Sequence, residues 1–413
     1  MGGGDRAAAS RGPAGRAPLP YRRGETTSGR ASEAAWARIL GAVEAEDRPA
    51  LAGVLVRDHR MATVGAVSEA LANAYLVHPD FVWSTLESFS RDPRRILRCC
   101  YGFGLLGERF VPFERVWPHL ERLLDEELEA GSWTVRECNA RGLLWLMWNR
   151  FGPRVAGGGR DGERGEGRAD APGEGLAGAA HGDGGPAASG RAGARGAAWD
   201  ARPGQSRPRF GPHDPLYAAL AAWRDGPSVN LRRAAVMGMF FAQRLTQYVP
   251  AALDFVEPLL NDGSQYVRRN LGPFLLSSLG CKPGAAGQAV VDRLRAWAES
   301  GDQNARWNVA SAFRAQLGIK RPADGLEILE SLAADSRLGV RRAVTSALVH
   351  IGRRHPSLVL RTLSGWTRDP LRRAVAEAAR ARLGAGRGAQ DEARRGTGGG
   401  VSGTAGGAAG RGP

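Results

Sequence analysis

Arg232-Arg233, Arg268-Arg269, Arg341-Arg342 and Arg372-Arg373 recur along the second half of the chain. Counted from Arg232 through Arg268, Arg306, Arg341 and Arg372, the steps are 36, 38, 35 and 31 residues. A guanidinium is a planar fork of donors matched to phosphate oxygens, so arginines brought into one line could follow a phosphate backbone. A second spacing with chemical content is Trp133-Thr-Val-Arg-Glu137, which sets an indole and a carboxylate on one face of a helix. Trp117 and Glu121 share that spacing. Both arrangements depend on the elements that carry them.

Other motifs lead away from catalysis. Gly102-Phe-Gly104-Leu-Leu-Gly107 matches a dinucleotide fingerprint as a string, but no buried strand precedes it, and close helix packing is the expected reason for its glycines. Neither Lys282 nor Lys320 sits in a phosphate-binding loop, and no Gly-x-Ser-x-Gly elbow offers a serine nucleophile. His59, His78, His119, His181, His213, His350 and His355 give no metal-ligand spacing, so neither a metal nor another cofactor is expected. Cys99, Cys100, Cys138 and Cys281 lack a Cys-x-x-Cys spacing and read as free thiols in a reducing compartment.

The carrying elements show in a self-match. Residues 58–98 align with residues 335–375 without a gap, with 15 identities in 41 positions. In the second copy Val340, Val344, Ala347, Leu348 and Ile351 make one helical stripe. His355-Pro356 breaks it, and Val359, Leu360, Leu363 and Trp366 make a second stripe that ends at Asp369-Pro370. The unit is a helical hairpin, and a unit repeated at both ends points to a solenoid. With the arginine that opens the first helix as a ruler, copies stand at Arg95, Arg136, Arg232, Arg268, Arg306, Arg341 and Arg372, with a degenerate one near Val64. His78 and His355 hold the same repeat position, which points to a turn-forming role. Trp223, Trp297 and Trp366 end second helices and should pack in the core.

An Asp before the turn and a Val-Arg-Arg or Leu-Arg-Arg start recur at Asp225 with Leu231-Arg232-Arg233, Asp262 with Val267-Arg268-Arg269, Asp335 with Val340-Arg341-Arg342, and Asp369 with Leu371-Arg372-Arg373. On these residues the chain resembles the HEAT-repeat superfamily, of armadillo-type fold, rather than ankyrin or tetratricopeptide arrays. The resemblance implies an Asp–Arg ladder from repeat to repeat, which would engage the first arginine of each pair. The expectation is an all-α chain: an α-solenoid, or α-α superhelix, of HEAT-like helical hairpin repeats with disordered tails and a long disordered insertion.

Between Gly157 and Arg209 the only large apolar residues are Leu176 and Trp199, too few to offset the entropy of ordering the segment. The expected organisation is a disordered tail over 1–32, repeats over 33–154, a disordered Gly/Ala/Arg-rich linker over 155–213, repeats over 214–383 and a disordered tail over 384–413. Removing the linker leaves a repeat-sized step between Arg136 and Arg232, so one interrupted solenoid is expected. No apolar run is long enough for a membrane span. Arg22-Arg23 is followed by polar residues where a twin-arginine signal needs an apolar region. An organellar transit peptide is a weaker alternative to the expected cytoplasmic location.

Residues 33–154 carry 15 basic and 17 acidic groups, whereas residues 214–383 carry 24 and 14, so most structured positive charge falls in the second block. Stacked repeats would align Arg233, Arg269, Arg342 and Arg373 along one surface, with Trp307 beside them. DNA or another polyanion is the expected partner of this basic concave surface, and an acidic protein surface meets the same charge pattern. Arginine-filled solvated faces are the plain alternative, since the chain has only two lysines.

Ser264-Gln265-Tyr266-Val267-Arg268-Arg269-Asn270-Leu271, with Trp297, Trp307 and the His-Pro turns, also resembles the HEAT-like DNA alkylation repair glycosylases. That likeness covers residues 214–383 best and implies duplex DNA held on a basic concave face, with an acid beside tryptophans promoting loss of an alkylated base. The family's Trp followed four residues later by Asp is not found. Its nearest counterpart is Trp133 and Glu137, with Glu in place of Asp and outside the best-matching block. The leading expectation is therefore a non-enzymatic HEAT-repeat scaffold, with a DNA glycosylase using Glu137 and Trp133 as the alternative.

Overall fold

The computed structural model describes residues 33–58, 60–98, 101–126, 133–152 and 208–397. These are helical throughout, and the sole bridge among them is an isolated pairing of Gly107 with Val111. They form two compact units, one within residues 33–152 and one within residues 208–397. The expectations of disorder for residues 1–32, for the linker up to residue 207 and for residues after 397 lie outside the described residues, as do Cys99, Cys100, His59 and His181. No described helix is long and apolar enough to cross a membrane.

The first unit comprises α1 (Glu33–Glu44), α2 (Arg48–Arg57), α3 (Met61–Ala74), α4 (Pro79–Arg91), α5 (Tyr101–Leu106), α6 (Phe113–Asp125) and α7 (Trp133–Phe151). Helices α1, α3, α5 and α7 pack in series, while α2, α4 and α6 each fold back on a member of that series. A short 3-10 turn at Arg95–Leu97 stands where the arginine ruler expected a first helix to open, because the Asp92-Pro93 break still constrains the chain there. Gly104 lets α5 and α7 touch: a Cβ at that position would overlap the carbonyl oxygen of Gly142. The Gly-x-Gly-x-x-Gly string thus serves helix packing.

The second unit comprises α8 (Pro215–Asp225), α9 (Val229–Gly238), α10 (Val249–Val256), α11 (Gln265–Asn270), α12 (Ser277–Gly280), α13 (Gly284–Ala298), α14 (Gln303–Ala312), α15 (Gln316–Lys320), α16 (Pro322–Ala333), α17 (Leu338–Arg354), α18 (Pro356–Trp366) and α19 (Arg373–Thr397). A π-helical turn, Leu271–Leu276, joins α11 to α12 and contains Pro273, whose missing N–H and ring displace the α-helical bonding. Helix α9 packs on α11, the π turn on α14, α14 on α17, and α17 on α19. A second layer runs α10, α13, α16. This order is helical-repeat-like, and Trp223, Trp297 and Trp366 are buried in it.

The self-match holds at the level of backbone geometry. Helices α3 and α17 begin at matched residues, as do α4 and α18. The breaks between them are the same: His78 has φ −129° and ψ 57°, and His355 has φ −126° and ψ 57°. Each histidine N–H donates to the carbonyl four residues back, and each ring reaches the preceding hairpin, His78 Nδ1 to Glu46 Oε1 at 2.6 Å and His355 Nε2 to Ile319 O at 2.9 Å. Val67, Ala70, Leu71, Val82 and Leu86 are buried, and so are Val344, Ala347, Leu348, Val359 and Leu363.

Two boundaries differ from the sequence reading. Phe210, placed in the linker by its Gly/Pro/Arg surroundings, is buried against Tyr217, Phe241 and Phe255, with ring centroids 4.9, 5.0 and 5.9 Å away. One aromatic side chain provides enough apolar area to dock the segment ahead of α8. At the other end α19 runs on to Thr397 rather than stopping at residue 383, because Ala, Arg, Gln and Glu keep helix propensity high despite interspersed glycines.

Candidate nucleic-acid interface

An aspartate fixes the entry to nearly every first helix. Asp58, Asp92, Asp262, Asp302, Asp335 and Asp369 each accept the backbone N–H two residues on, which closes the turn, and Asp302 also caps its helix. At three of these turns the residue two positions on is an arginine that clips the same carboxylate with both prongs. The distances are 2.8 and 2.7 Å for Arg60 on Asp58, 2.9 and 2.8 Å for Arg94 on Asp92, and 2.8 and 2.7 Å for Arg337 on Asp335. These clips hold the Asp58 and Asp92 carboxyls below the usual carboxylate range.

The arginines that open the first helices are largely consumed by the scaffold. Arg232 donates to Asp262 of the next turn at 2.7 Å and to the carbonyls of Gly226 and Pro227 at 3.0 and 2.7 Å. Arg268 donates to the Asp262 carbonyl, and Arg306 lies 3.1 Å from Asp335 of the following turn, with its N–H not aimed at the oxygen. Arg372 pairs with Asp369 of its own turn. The repeat-to-repeat ladder therefore stands at Arg232–Asp262 and Arg306–Asp335.

The second arginines divide. Arg233 is only 8 % exposed, with its guanidinium 5.0 Å over the Tyr266 ring, so it does not belong to an exposed row as the repeat spacing implied. The cause is the packing of α9 on α11, which lays Tyr266 against it. Arg269, Arg342 and Arg373 are exposed, and none of the three forms an ion pair among the described residues. Trp307 is half-buried, with Arg268 5.9 Å from its ring centre. Arginine of one hairpin over an aromatic ring of the next thus occurs twice, at Arg233–Tyr266 and at Arg268–Trp307.

The acidic candidate sits in a different setting. Glu137 on α7 is 7 % exposed, and its Oε1 lies 3.4 Å from Arg141 Nε on the same helix. Arg141 is buried too, and its Nη2 has no hydrogen-bond partner. Trp133 opens α7, and its side chain lies outside the described residues. Burial beside a guanidinium makes Glu137 a counter-ion of the helix interior, and nothing in this geometry presents it to a base.

A carboxyl that the sequence patterns do not mark is strongly perturbed by its surroundings. Glu69 on α3 is pushed up to about 7 by burial, which outweighs the opposing charge of Arg109. It lies near Tyr101, whose hydroxyl accepts from Trp145 Nε1 at 2.9 Å and is itself pushed up by burial first and by Glu69 second. The available signal was a glutamate between the buried pairs Ala66-Val67 and Ala70-Leu71. Burial also raises the Cys281 thiol, against the lowering pull of Lys320, Lys282 and Arg321, which disfavours its thiolate. Among the described residues no group of His, Cys, Asp and Glu side chains is arranged to hold a metal ion. No family model and no curated protein matches the chain.

Proposed function

We propose that the chain is a non-enzymatic scaffold of HEAT-like hairpins, each unit a stretch of α-solenoid, and that the second unit binds nucleic acid through the start of its first helices. The observation that carries this reading is the division among the arginines. Arg232 and Arg306 are engaged by carboxylates, whereas Arg269, Arg342 and Arg373, the second arginines of three of the hairpins, are exposed without one. Uncompensated guanidiniums at this position in three hairpins match the phosphates that recur along a polyanion's backbone. Trp307 and Tyr266, set between the arginines, add faces on which sugar or base can pack.

The test is fluorescence anisotropy of a labelled 20-base-pair duplex across a salt series, with the wild type and Arg269→Gln/Arg342→Gln/Arg373→Gln. The expected result is salt-sensitive wild-type binding and a fall of about 3 in the log–log salt slope of the variant, at about 0.9 per phosphate contact. Salt-insensitive wild-type binding, or an unchanged slope in the variant, overturns the reading. An acidic protein partner would instead show as poly-glutamate displacing the duplex at equal charge concentration.

A further inference from the structure

The first helices of the second unit also carry cations at their far ends. Arg244 follows α9, Lys282 precedes α13, Arg314 and Lys320 flank and close α15, and Arg353 and Arg354 close α17. Both lysines of the chain fall in this set. Lys282, Arg314, Lys320, Arg353 and Arg354 form no ion pair among the described residues. By contrast, Arg293 and Arg295 on α13 are held by Asp254, Glu257, Asp292, Asp324 and Glu327.

These turns lie against one another. His355 reaches the Ile319 carbonyl at 2.9 Å, and Arg321 donates to Gln288 at 3.0 Å, which joins the α17–α18, α15–α16 and α12–α13 turns. The cations feel each other: the Lys282 ammonium is pushed down by burial and then by Arg244 and Lys320, and the His350 ring by burial and then chiefly by Arg353, with Arg314 and Arg354 adding. A helix C-terminus favours one nearby cation by about 0.3–1 kcal/mol, which accounts for a single basic residue per turn. It does not account for adjacent Arg353 and Arg354, or for cations close enough to repel. On α17, Arg342 and Arg353 are eleven residues apart, about 16 Å along the axis and about 20° in azimuth, so the two ends of that helix present charge to the same side.

We infer that the stacked hairpin turns carrying Lys282, Arg314, Lys320, Arg353 and Arg354 form a second phosphate-binding edge that takes the backbone of a nucleic acid. This rests on the nucleic-acid reading above and adds to it a surface that the repeat motif does not mark. Three turns stacked about 8–10 Å apart extend over about 16–20 Å. At about 3.4 Å per nucleotide that is roughly five to six phosphates of one strand, enough for the five cations.

The test uses the full chain and the labelled 20-base-pair duplex. Lys282→Gln/Lys320→Gln/Arg353→Gln/Arg354→Gln is compared with wild type and with Arg269→Gln/Arg342→Gln/Arg373→Gln. The expected result is a slope smaller by about 3 to 4 in the turn variant, beyond any loss in the helix-start variant when the two sets are combined. A turn variant that keeps wild-type slope and affinity, while wild type binds, overturns the edge and leaves the helix-start reading standing. Absence of wild-type binding at every salt overturns both. The single variants Lys320→Gln and Arg354→Gln, at exposed positions, guard against a folding defect: each is expected to keep the wild-type melting temperature and to lower the slope by about 1. Unchanged slopes in both count against the edge.

Discussion

Arg306 of α14 lies 3.1 Å from the Asp335 carboxylate, which the turn's own Arg337 already grips at 2.8 and 2.7 Å. One buried acid therefore closes its turn and ties that hairpin to the one before. Asp335 is expected to be the most sensitive acid of the second unit. Its side chain is 1 % exposed, so Asp335→Ala leaves Arg306 without its counter-charge and should cost about 3 kcal/mol, read as a lowered urea midpoint. The Arg337 clip first, then Arg306, hold the carboxyl below its ordinary value of 3.8. A depressed acid stabilises the fold above its unfolded value and loses that contribution as pH falls through the folded one. The wild type should weaken below about pH 4, and Asp335→Asn should flatten that limb. A wild-type acid limb in Asp335→Asn would count against this role.

Glu69 acts in the opposite sense. Its folded value is raised from 4.5 to about 7, so the unfolded chain gives up the proton first as pH rises. Its contribution is complete below about 4.5 and is lost as pH climbs to about 7, a change of about 2–3 kcal/mol for the first unit. Glu69→Gln should keep the melting temperature nearly level over that window, where the wild type declines. Equal declines in both proteins would show that the carboxyl ionises normally.

Much of the fold was legible because hairpin repeats are local. Periodicity placed α17, the His355-Pro356 break and α18 correctly, and the same pattern located α3 and α4. The recurrent Asp was legible as a repeat mark, but its main work, closing a turn onto the residue two positions on, depends on backbone geometry that spacing does not reveal. Arg233 shows the limit more sharply. Its sequence neighbours are those of Arg269 and Arg342, and only the Tyr266 ring from the next hairpin buries it. The turn cations escaped notice because they occupy different offsets after each first helix, so no fixed repeat position marks them.

Gly104 tests the packing explanation of the glycine string. A Cβ there meets the Gly142 carbonyl, an immovable backbone atom, so Gly104→Ala must push α5 from α7 and should cost about 3 kcal/mol or more. Gly41 is the control: in α1 a Cβ at that point meets nothing within 4 Å, and Gly41→Ala should stabilise by roughly 0.5–1 kcal/mol. Thermal unfolding of the two variants should therefore shift in opposite directions. Similar small shifts would mean that α5 and α7 tolerate separation.

Glu137 separates scaffold from glycosylase. As the counter-ion of buried Arg141, its removal in Glu137→Ala strands a guanidinium in the helix interior and should cost about 3 kcal/mol. Glu137→Gln keeps the shape and a hydrogen-bonding group, so its penalty should be smaller. Neither substitution should change release of N3-methyladenine or N7-methylguanine from alkylated DNA, which is expected at background for the wild type. Stability and chemistry part company in Glu137→Gln: wild-type release that disappears in this variant at an unchanged melting temperature would establish an enzyme. The 7 % exposure of Glu137 and its Arg141 neighbour argue instead that the carboxylate holds α7 together.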